Sequence, residues 1–119
     1  MIVLADTSVW LDHWRRGNPR FAELLGQRRI VLHPFVLGEI ALGAIGGRAE
    51  VLRHLSKLRV PRVARDEEVL ALVARTPLWR RGIGWVDAHL IASTQLEHAR
   101  LWTLDQPLAR VAAELGVAA

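Results

Sequence analysis

The sequence IVLADTS occupies residues 2–8 and joins an apolar run to one acid and two hydroxyl side chains. A continuous apolar run, unlike an alternating one, is typical of a central strand that is covered on both faces. Asp6, Thr7 and Ser8 are residue types that cap the N-terminus of a helix. This stretch therefore predicts a buried strand that leads directly into a helix, with Asp6 at the carboxyl end of the strand.

The rest of the chain alternates between strand and helix patterns. Further strands are predicted over residues 30–32 and 100–104, with 59–64 as an edge strand because it contains Pro61. Residues 116–119 are either a last strand or a loose end. Helices are predicted between Ser8 and Gly17, and over residues 21–25, 34–45, 49–58, 66–75, 87–98 and 107–115, with one turn in the loop 76–84.

Strands that alternate with helices, without hairpin turns between them, indicate an α/β fold. We expect an α/β/α sandwich around a central, mainly parallel sheet. A length of 119 residues suits one domain, and we expect that domain to span residues 1–119.

The composition narrows the class of protein. The 16 basic and 12 acidic residues give a net charge of +4, which favours a polyanionic partner such as a nucleic acid. The absence of cysteine excludes disulfides and thiolate zinc sites, and it suits a reducing cytoplasm. No apolar run approaches the roughly 18 residues of a membrane span. We expect a soluble, cytoplasmic protein that does not bind a membrane.

Four carboxylates stand at the edges of apolar elements: Asp6, Glu39, Asp87 and Asp105. Asp6 and Asp105 each follow a predicted strand, and ligands of open parallel sheets bind beyond the carboxyl ends of the strands. Asp87 opens a helix on its buried side, and Glu39 lies among apolar neighbours at helical spacing. Taken singly, each Asp is better explained as a helix cap that contributes about 1 kcal/mol, so the site depends on the four acids converging.

If the four carboxylates meet, each close pair repels by about 4 kcal/mol at 4 Å and an effective dielectric constant near 20. A cation must offset this repulsion. Oxygen ligands without cysteine favour one or two Mg²⁺ or Mn²⁺ ions. His33 and His89 lie near two of the acids in sequence, and we interpret them as ordinary packing or surface residues.

With these motifs, the chain resembles the PIN-domain family, and its size is similar to that of a VapC-type toxin of a toxin–antitoxin pair. The resemblance extends over nearly the whole chain. It is carried by Asp6-Thr7-Ser8, by Glu39 in FVLGEI, by Asp87 in VDAHLIA and by Thr103-Leu104-Asp105.

The resemblance implies an α/β/α domain that cleaves RNA, with the four acids holding Mg²⁺ or Mn²⁺. It also implies that Ser8 and Thr103 are hydroxyl side chains beside the metal site, and that the protein forms a homodimer and is inhibited by a cognate antitoxin. Some relatives carry a further acid after the last motif, where this chain has Gln106 and Pro107.

The chemistry that such a site performs is hydrolysis of a phosphodiester by a metal-bound water. Arg80 and Arg81, with Trp79 and Trp85 beside them, could bind RNA, or the tryptophans could fill the core or a subunit interface. Trp10 and its neighbours on the first helices suit either core packing or a groove for an antitoxin or a second subunit.

Two alternatives remain open. One is a PIN-like module that binds RNA or protein without cleavage. The other is a small regulatory α/β domain, such as a phosphate-accepting receiver. A receiver requires paired acids after the first strand and a late lysine, whereas Asp6 stands alone and Lys57 is the only lysine.

Overall fold

The opening segment forms the predicted strand and helix. In the computed structural model, which describes residues 1–119, strand β1 spans Val3–Ala5 and is fully buried. Asp6 caps the N-terminus of helix α1, Thr7–Arg16. The acid therefore lies where the carboxyl end of the strand meets the start of a helix.

The sheet has three parallel strands. Strand β2, Ile30–Val31, and strand β3, Arg100–Trp102, lie on either side of β1, so that the strand order is β2-β1-β3. The predicted parallel sheet is confirmed. Because all three strands point the same way, the residues that follow them gather at one edge of the sheet.

Six further helices surround this sheet. They are α2 (Pro19–Gly26), α3 (Pro34–Leu42), α4 (Arg48–Leu55), α5 (Asp66–Arg75), α6 (Trp85–Glu97) and α7 (Gln106–Glu114). A single 3₁₀ turn, Leu78–Arg80, occupies the predicted loop between α5 and α6. No helix is both long enough and apolar enough to cross a membrane.

The core is one cluster of 25 buried apolar residues that includes the whole of β1. Trp10 of α1 and Phe21 of α2 pack edge to face, with ring centroids 4.8 Å apart. Helix α6 is buried along its middle, from Ala88 to Thr94. This burial fixes α6 against the sheet and so fixes the direction from which Asp87 approaches the sheet edge.

The predicted edge strand over residues 59–64 is wrong. Only one backbone hydrogen bond of strand type is made there, from the Leu32 amide to the Arg59 carbonyl at 2.9 Å. The Arg62 amide donates to the Glu97 carboxylate at 2.8 Å, and the Arg62 carbonyl accepts from the Ser93 hydroxyl. Side chains of α6 thus satisfy the backbone groups that a neighbouring strand would otherwise bind.

Several predicted boundaries also differ: α4 ends at Leu55 rather than at residue 58, and β3 ends at Trp102 rather than at residue 104. Helix α3 ends at Leu42 rather than near Ile45, because the chain turns extended at Gly43, whose amide donates to the Ile40 carbonyl at 3.1 Å. Residues 116–119, for which a last strand and a loose end were both open, form one isolated bridge, between Ala118 and Leu101.

Candidate functional site

Asp6 is the buried anchor of the site, with 7% of its surface exposed. Its Oδ1 accepts from the Ser8 hydroxyl at 2.5 Å and from the Val9 amide at 3.3 Å, and its Oδ2 accepts from the Thr103 hydroxyl. Burial raises the pKa of Asp6, and these hydrogen bonds oppose the rise without cancelling it. Both carboxylate oxygens are therefore held in a fixed orientation.

The same two hydroxyl groups attach the loop after β3 to the start of α1. The Leu104 amide donates to Ser8 Oγ at 3.0 Å, and the Asp105 amide donates to Thr103 Oγ1 at 3.0 Å. Asp105 then caps α7 by accepting from the Leu108 amide at 3.2 Å. Ser8 and Thr103 thus hold the backbone at Asp105 close to the carboxylate of Asp6.

Asp87 lies in the first turn of α6 rather than at its opening residue, because the helix begins at Trp85. Its Oδ2 accepts from the Gly84 amide at 3.2 Å. Burial raises the pKa of Asp87, and the negative charges of Asp105, Asp6 and Glu39 raise it further. The other three acids are therefore close enough for their charges to act on Asp87.

Glu39 differs from the expectation that it lies against apolar neighbours. It is exposed, and Leu42 on the same helix is 91% exposed. Its Oε1 accepts from the Thr7 hydroxyl at 2.6 Å, which joins α3 to the first residue of α1. The sequence marks Thr7 only as part of the capping motif, and nothing in it indicates that this hydroxyl binds Glu39.

The four carboxylates suit a metal ion that keeps part of its water shell rather than an ion enclosed entirely by protein ligands. The charges of Asp6, Glu39 and Asp105 all act on Asp87, yet no three His, Asp or Glu side chains are arranged to hold an ion directly. Like charges repel at short range, which favours this separation. Mg²⁺ keeps several of its waters and takes only one or two carboxylates directly, and Mn²⁺ also prefers oxygen ligands. The oxygen donors therefore fit such an ion bound partly through water.

The two tryptophans around the start of α6 are exposed rather than part of the core. Trp79 is 64% exposed and Trp85 is 43% exposed. Arg81 forms two hydrogen bonds of 2.7 Å with the Glu114 carboxylate, which occupies its guanidinium. Arg80 makes none of the ion pairs in the chain, so it is free to bind an external anion.

A separate apolar cleft of about 540 Å³ lies between α1, α2 and α4. Its apolar lining consists of Trp10, Trp14, Leu25, Val51, Leu55 and Leu58. Trp10 is buried, whereas Trp14 is 41% exposed at its edge. The two tryptophans therefore serve both the core and a surface cleft.

Known proteins share the sequence and the fold of this chain. The family model described as PIN domain matches residues 3–114. Ribonuclease VapC32, from two strains of Mycobacterium tuberculosis, is 48% identical over 118 residues, which cover 98% of this chain and 95% of the relative. The crystal structure of PAE2754 from Pyrobaculum aerophilum superposes with a TM-score of 0.59 at 18% identity, over 98% of this chain and 90% of that one. The last likeness concerns the fold alone.

Proposed function

The chain belongs to the PIN-domain family, and from that premise we propose that it is a metal-dependent endoribonuclease, the toxin of a VapC-type toxin–antitoxin pair. The 48% identity to a protein named Ribonuclease VapC32 supports the reaction. The observation that carries the proposal is the convergence of the acids: the hydroxyl groups that hold Asp6 also bind the loop of Asp105, and the charges of Asp6, Glu39 and Asp105 all act on the half-buried Asp87.

In this proposal Asp6, Glu39, Asp87 and Asp105 hold Mg²⁺ or Mn²⁺. When bound, the ion supplies Lewis acidity toward the phosphate and a water of lowered pKa. Ser8 and Thr103 fix both oxygens of Asp6, so this carboxylate needs no rearrangement before binding.

The remaining side chains of the site have supporting roles. Thr7 directs Glu39 toward the same region from α3. Arg80 is proposed to bind a phosphate of the RNA. Arg81 was a second candidate for that role, and its pairing with Glu114 supports instead a structural role between α7 and the loop before α6.

The test is RNA cleavage by the purified chain. With Mg²⁺ or Mn²⁺ the wild type should cleave, and Asp6→Asn should lower the rate by at least about 100-fold, because it removes a charged ligand worth several kcal/mol. Glu23→Gln, which changes an exposed acid on α2, is the matched control and should cleave like the wild type. Equal cleavage by Asp6→Asn, or cleavage that survives chelation, would contradict the proposal.

The proposed partners are an antitoxin and a second copy of the chain, with all three acting in the cytoplasm. The apolar cleft between α1, α2 and α4 supports a bound protein segment, because exposed apolar clefts mark interaction sites. Expression of the chain alone should arrest the growth of cells, and co-expression with the product of a neighbouring reading frame should suppress that arrest. Trp14→Ala should weaken that suppression without lowering cleavage, and the mass of the free protein in solution tests the homodimer.

A second candidate is RNA binding without cleavage. The absence of a closed ligand cage favours it, as do the exposed Trp79 and Trp85 beside the free Arg80. A binding module would retain RNA in the presence of Mg²⁺ or Mn²⁺ and leave it intact. The cleavage experiment therefore distinguishes the two candidates directly.

A further inference from the structure

A small apolar cavity of about 180 Å³ lies between α5, α6 and the segment that joins these helices. Its apolar walls are Val73, Leu78, Trp79, Ile83, Trp85 and Ala88. Gly84 completes the lining, so no charged side chain lines the cavity. Pockets for drug-sized ligands have volumes of about 300–1,000 Å³, so this cavity suits a single planar ring system rather than a larger ligand.

The two tryptophans of the cavity differ in how the fold holds them. Trp79 is exposed over most of its surface, and its ring packs on no other aromatic ring of the chain. Trp85 packs edge to face on His89, with ring centroids 4.7 Å apart. Trp85 therefore forms a fixed wall, and the ring of Trp79 is available to stack on an external ring.

The short segment that carries Trp79 is anchored on both sides of this residue. Leu78, directly before it, is buried in the core. Arg81, two residues after it, binds the Glu114 carboxylate of α7 through two hydrogen bonds of 2.7 Å. Because the backbone around Trp79 is already ordered, stacking on its ring requires little further loss of conformational entropy.

The surroundings of the cavity match the chemistry of a nucleotide. Arg80 follows Trp79 directly and makes none of the ion pairs of the chain, so its charge is available to a phosphate. Gly84 lines the cavity and also donates its amide to the Asp87 carboxylate at 3.2 Å. The cavity therefore adjoins the acidic site, and a strand bound there would continue directly to the acids.

We propose that this cavity binds one unpaired base of the RNA, which stacks on Trp79 while Arg80 binds a neighbouring phosphate. The inference rests on the proposed ribonuclease function and assigns one binding contact of its substrate. Stacking accepts every base, because each has a π-face, and no acidic or amide side chain lines the cavity to read a base edge. A base inside a duplex is not available for this contact, so the cavity selects single-stranded segments.

RNA binding measured without cleavage tests the base contact. The probe is a labelled single-stranded oligoadenylate at low salt, and its fluorescence anisotropy is followed in the presence of a chelator, which prevents cleavage by the metal-loaded protein. Trp79→Ala should weaken binding by about 5-fold to 150-fold, the range for the loss of one stacked base. Trp79→Phe keeps an aromatic face and should bind nearly as tightly as the wild type, whereas Trp79→Leu should bind as weakly as Trp79→Ala.

Controls in the protein and in the RNA separate stacking from other causes. Leu70→Ala removes a similarly exposed apolar side chain of α5 that does not line the cavity, and it should bind like the wild type. An abasic strand of the same length should bind equally well to the wild type and to Trp79→Ala, because no base remains to stack. Arg80→Ala should weaken the binding of both strands and lower the slope of log K against log salt concentration by about 0.7.

Several results would overturn the base pocket. They are an unchanged affinity of Trp79→Ala for the oligoadenylate, an equal loss of affinity for the abasic strand, tight binding by Trp79→Leu, and a wild type that binds neither strand. A changed mass of free Trp79→Ala in solution would assign this tryptophan to a subunit contact instead. Binding that depends on Trp79 as expected, without cleavage when Mg²⁺ or Mn²⁺ is supplied, would count against the ribonuclease function alone.

Discussion

At the level of single residues, the carboxylate of Asp87 shows how the site opposes the stability of the fold. Burial first, and then the charges of Asp105, Asp6 and Glu39, raise the pKa of Asp87 above its usual value. A carboxyl whose pKa is higher in the folded than in the unfolded protein stabilises the fold while it is protonated. For Asp87 this stabilisation is fully present below about pH 3.8, its ordinary pKa, and it is lost as the pH rises through the folded pKa. Ionised Asp87 therefore destabilises the metal-free protein at neutral pH.

Asp87→Asn should consequently stabilise the metal-free protein at pH 7. Asn keeps an oxygen for the Gly84 amide and removes the charge, so the free energy of unfolding should increase by about 1 kcal/mol, within the range of charge-relieving substitutions. Urea unfolding in the presence of a chelator measures this gain. The gain should vanish near pH 3, where the wild-type carboxyl is itself protonated. A variant less stable than the wild type at pH 7 would show that the charge is not disfavoured.

At the level of elements, the junction between β1 and α1 organises the site through two hydroxyl groups. Thr103 donates to Asp6 and accepts from the Asp105 amide, while Ser8 donates to Asp6 and accepts from the Leu104 amide. Each hydroxyl thus joins the loop after β3 to the carboxylate after β1. The relative placement of two acids from distant parts of the chain depends on these contacts.

Thr103→Val tests this dependence with nearly unchanged shape. The loss of one hydrogen bond to a carboxylate and one from a backbone amide should lower the free energy of unfolding by about 1–3 kcal/mol. It should also lower the cleavage rate by about 10-fold or more. Thr103→Ser keeps the hydroxyl and should retain most of both properties. If Val and Ser variants unfold and cleave alike, the hydroxyl does not position Asp6.

The elements also show how far the sequence predicts this structure. The parallel sheet and the capping acids follow from local pattern, because a continuous apolar run before an acid has few other uses. The edge strand over residues 59–64 fails because Ser93 and Glu97, some 30 residues later, bind the Arg62 backbone in place of a strand. Side-chain contacts of such sequence separation carry no local signal.

The site itself is predictable only in part. Strand ends place Asp6 and Asp105 at one edge, and this much follows from topology. Helix α3 is apolar on most of its surface, so the sequence pattern does not show which face is exposed, and the outward position of Glu39 was missed. The bond from Thr7 to Glu39 depends on how α1 and α3 cross, which only the assembled fold determines.

At the level of the whole molecule, His33 links global stability to pH. Burial, and secondarily His89, lower the pKa of His33 to about 4 from an unfolded value of 6.5. Between these two values the unfolded chain binds a proton that the folded protein does not bind, so stability rises with pH across this window. The stabilisation is complete above pH 6.5 and is lost as the pH falls toward 4.

His33→Asn should flatten this dependence. Asn still offers an acceptor to the Phe35 amide at the start of α3, yet it does not titrate. From pH 6 to pH 5 the free energy of unfolding of the wild type should fall by about 1 kcal/mol more than that of the variant. The upper limit is about 1.4 kcal/mol per pH unit, because the difference is one bound proton per molecule.

Urea unfolding at pH 6 and at pH 5, with a chelator present, gives the two slopes. The two proteins differ only at residue 33, so the difference in slope reports the loss of the His33 ring. Parallel slopes would mean that His33 is protonated as readily in the fold as in the unfolded chain, and its burial would then be too incomplete to hold the ring neutral.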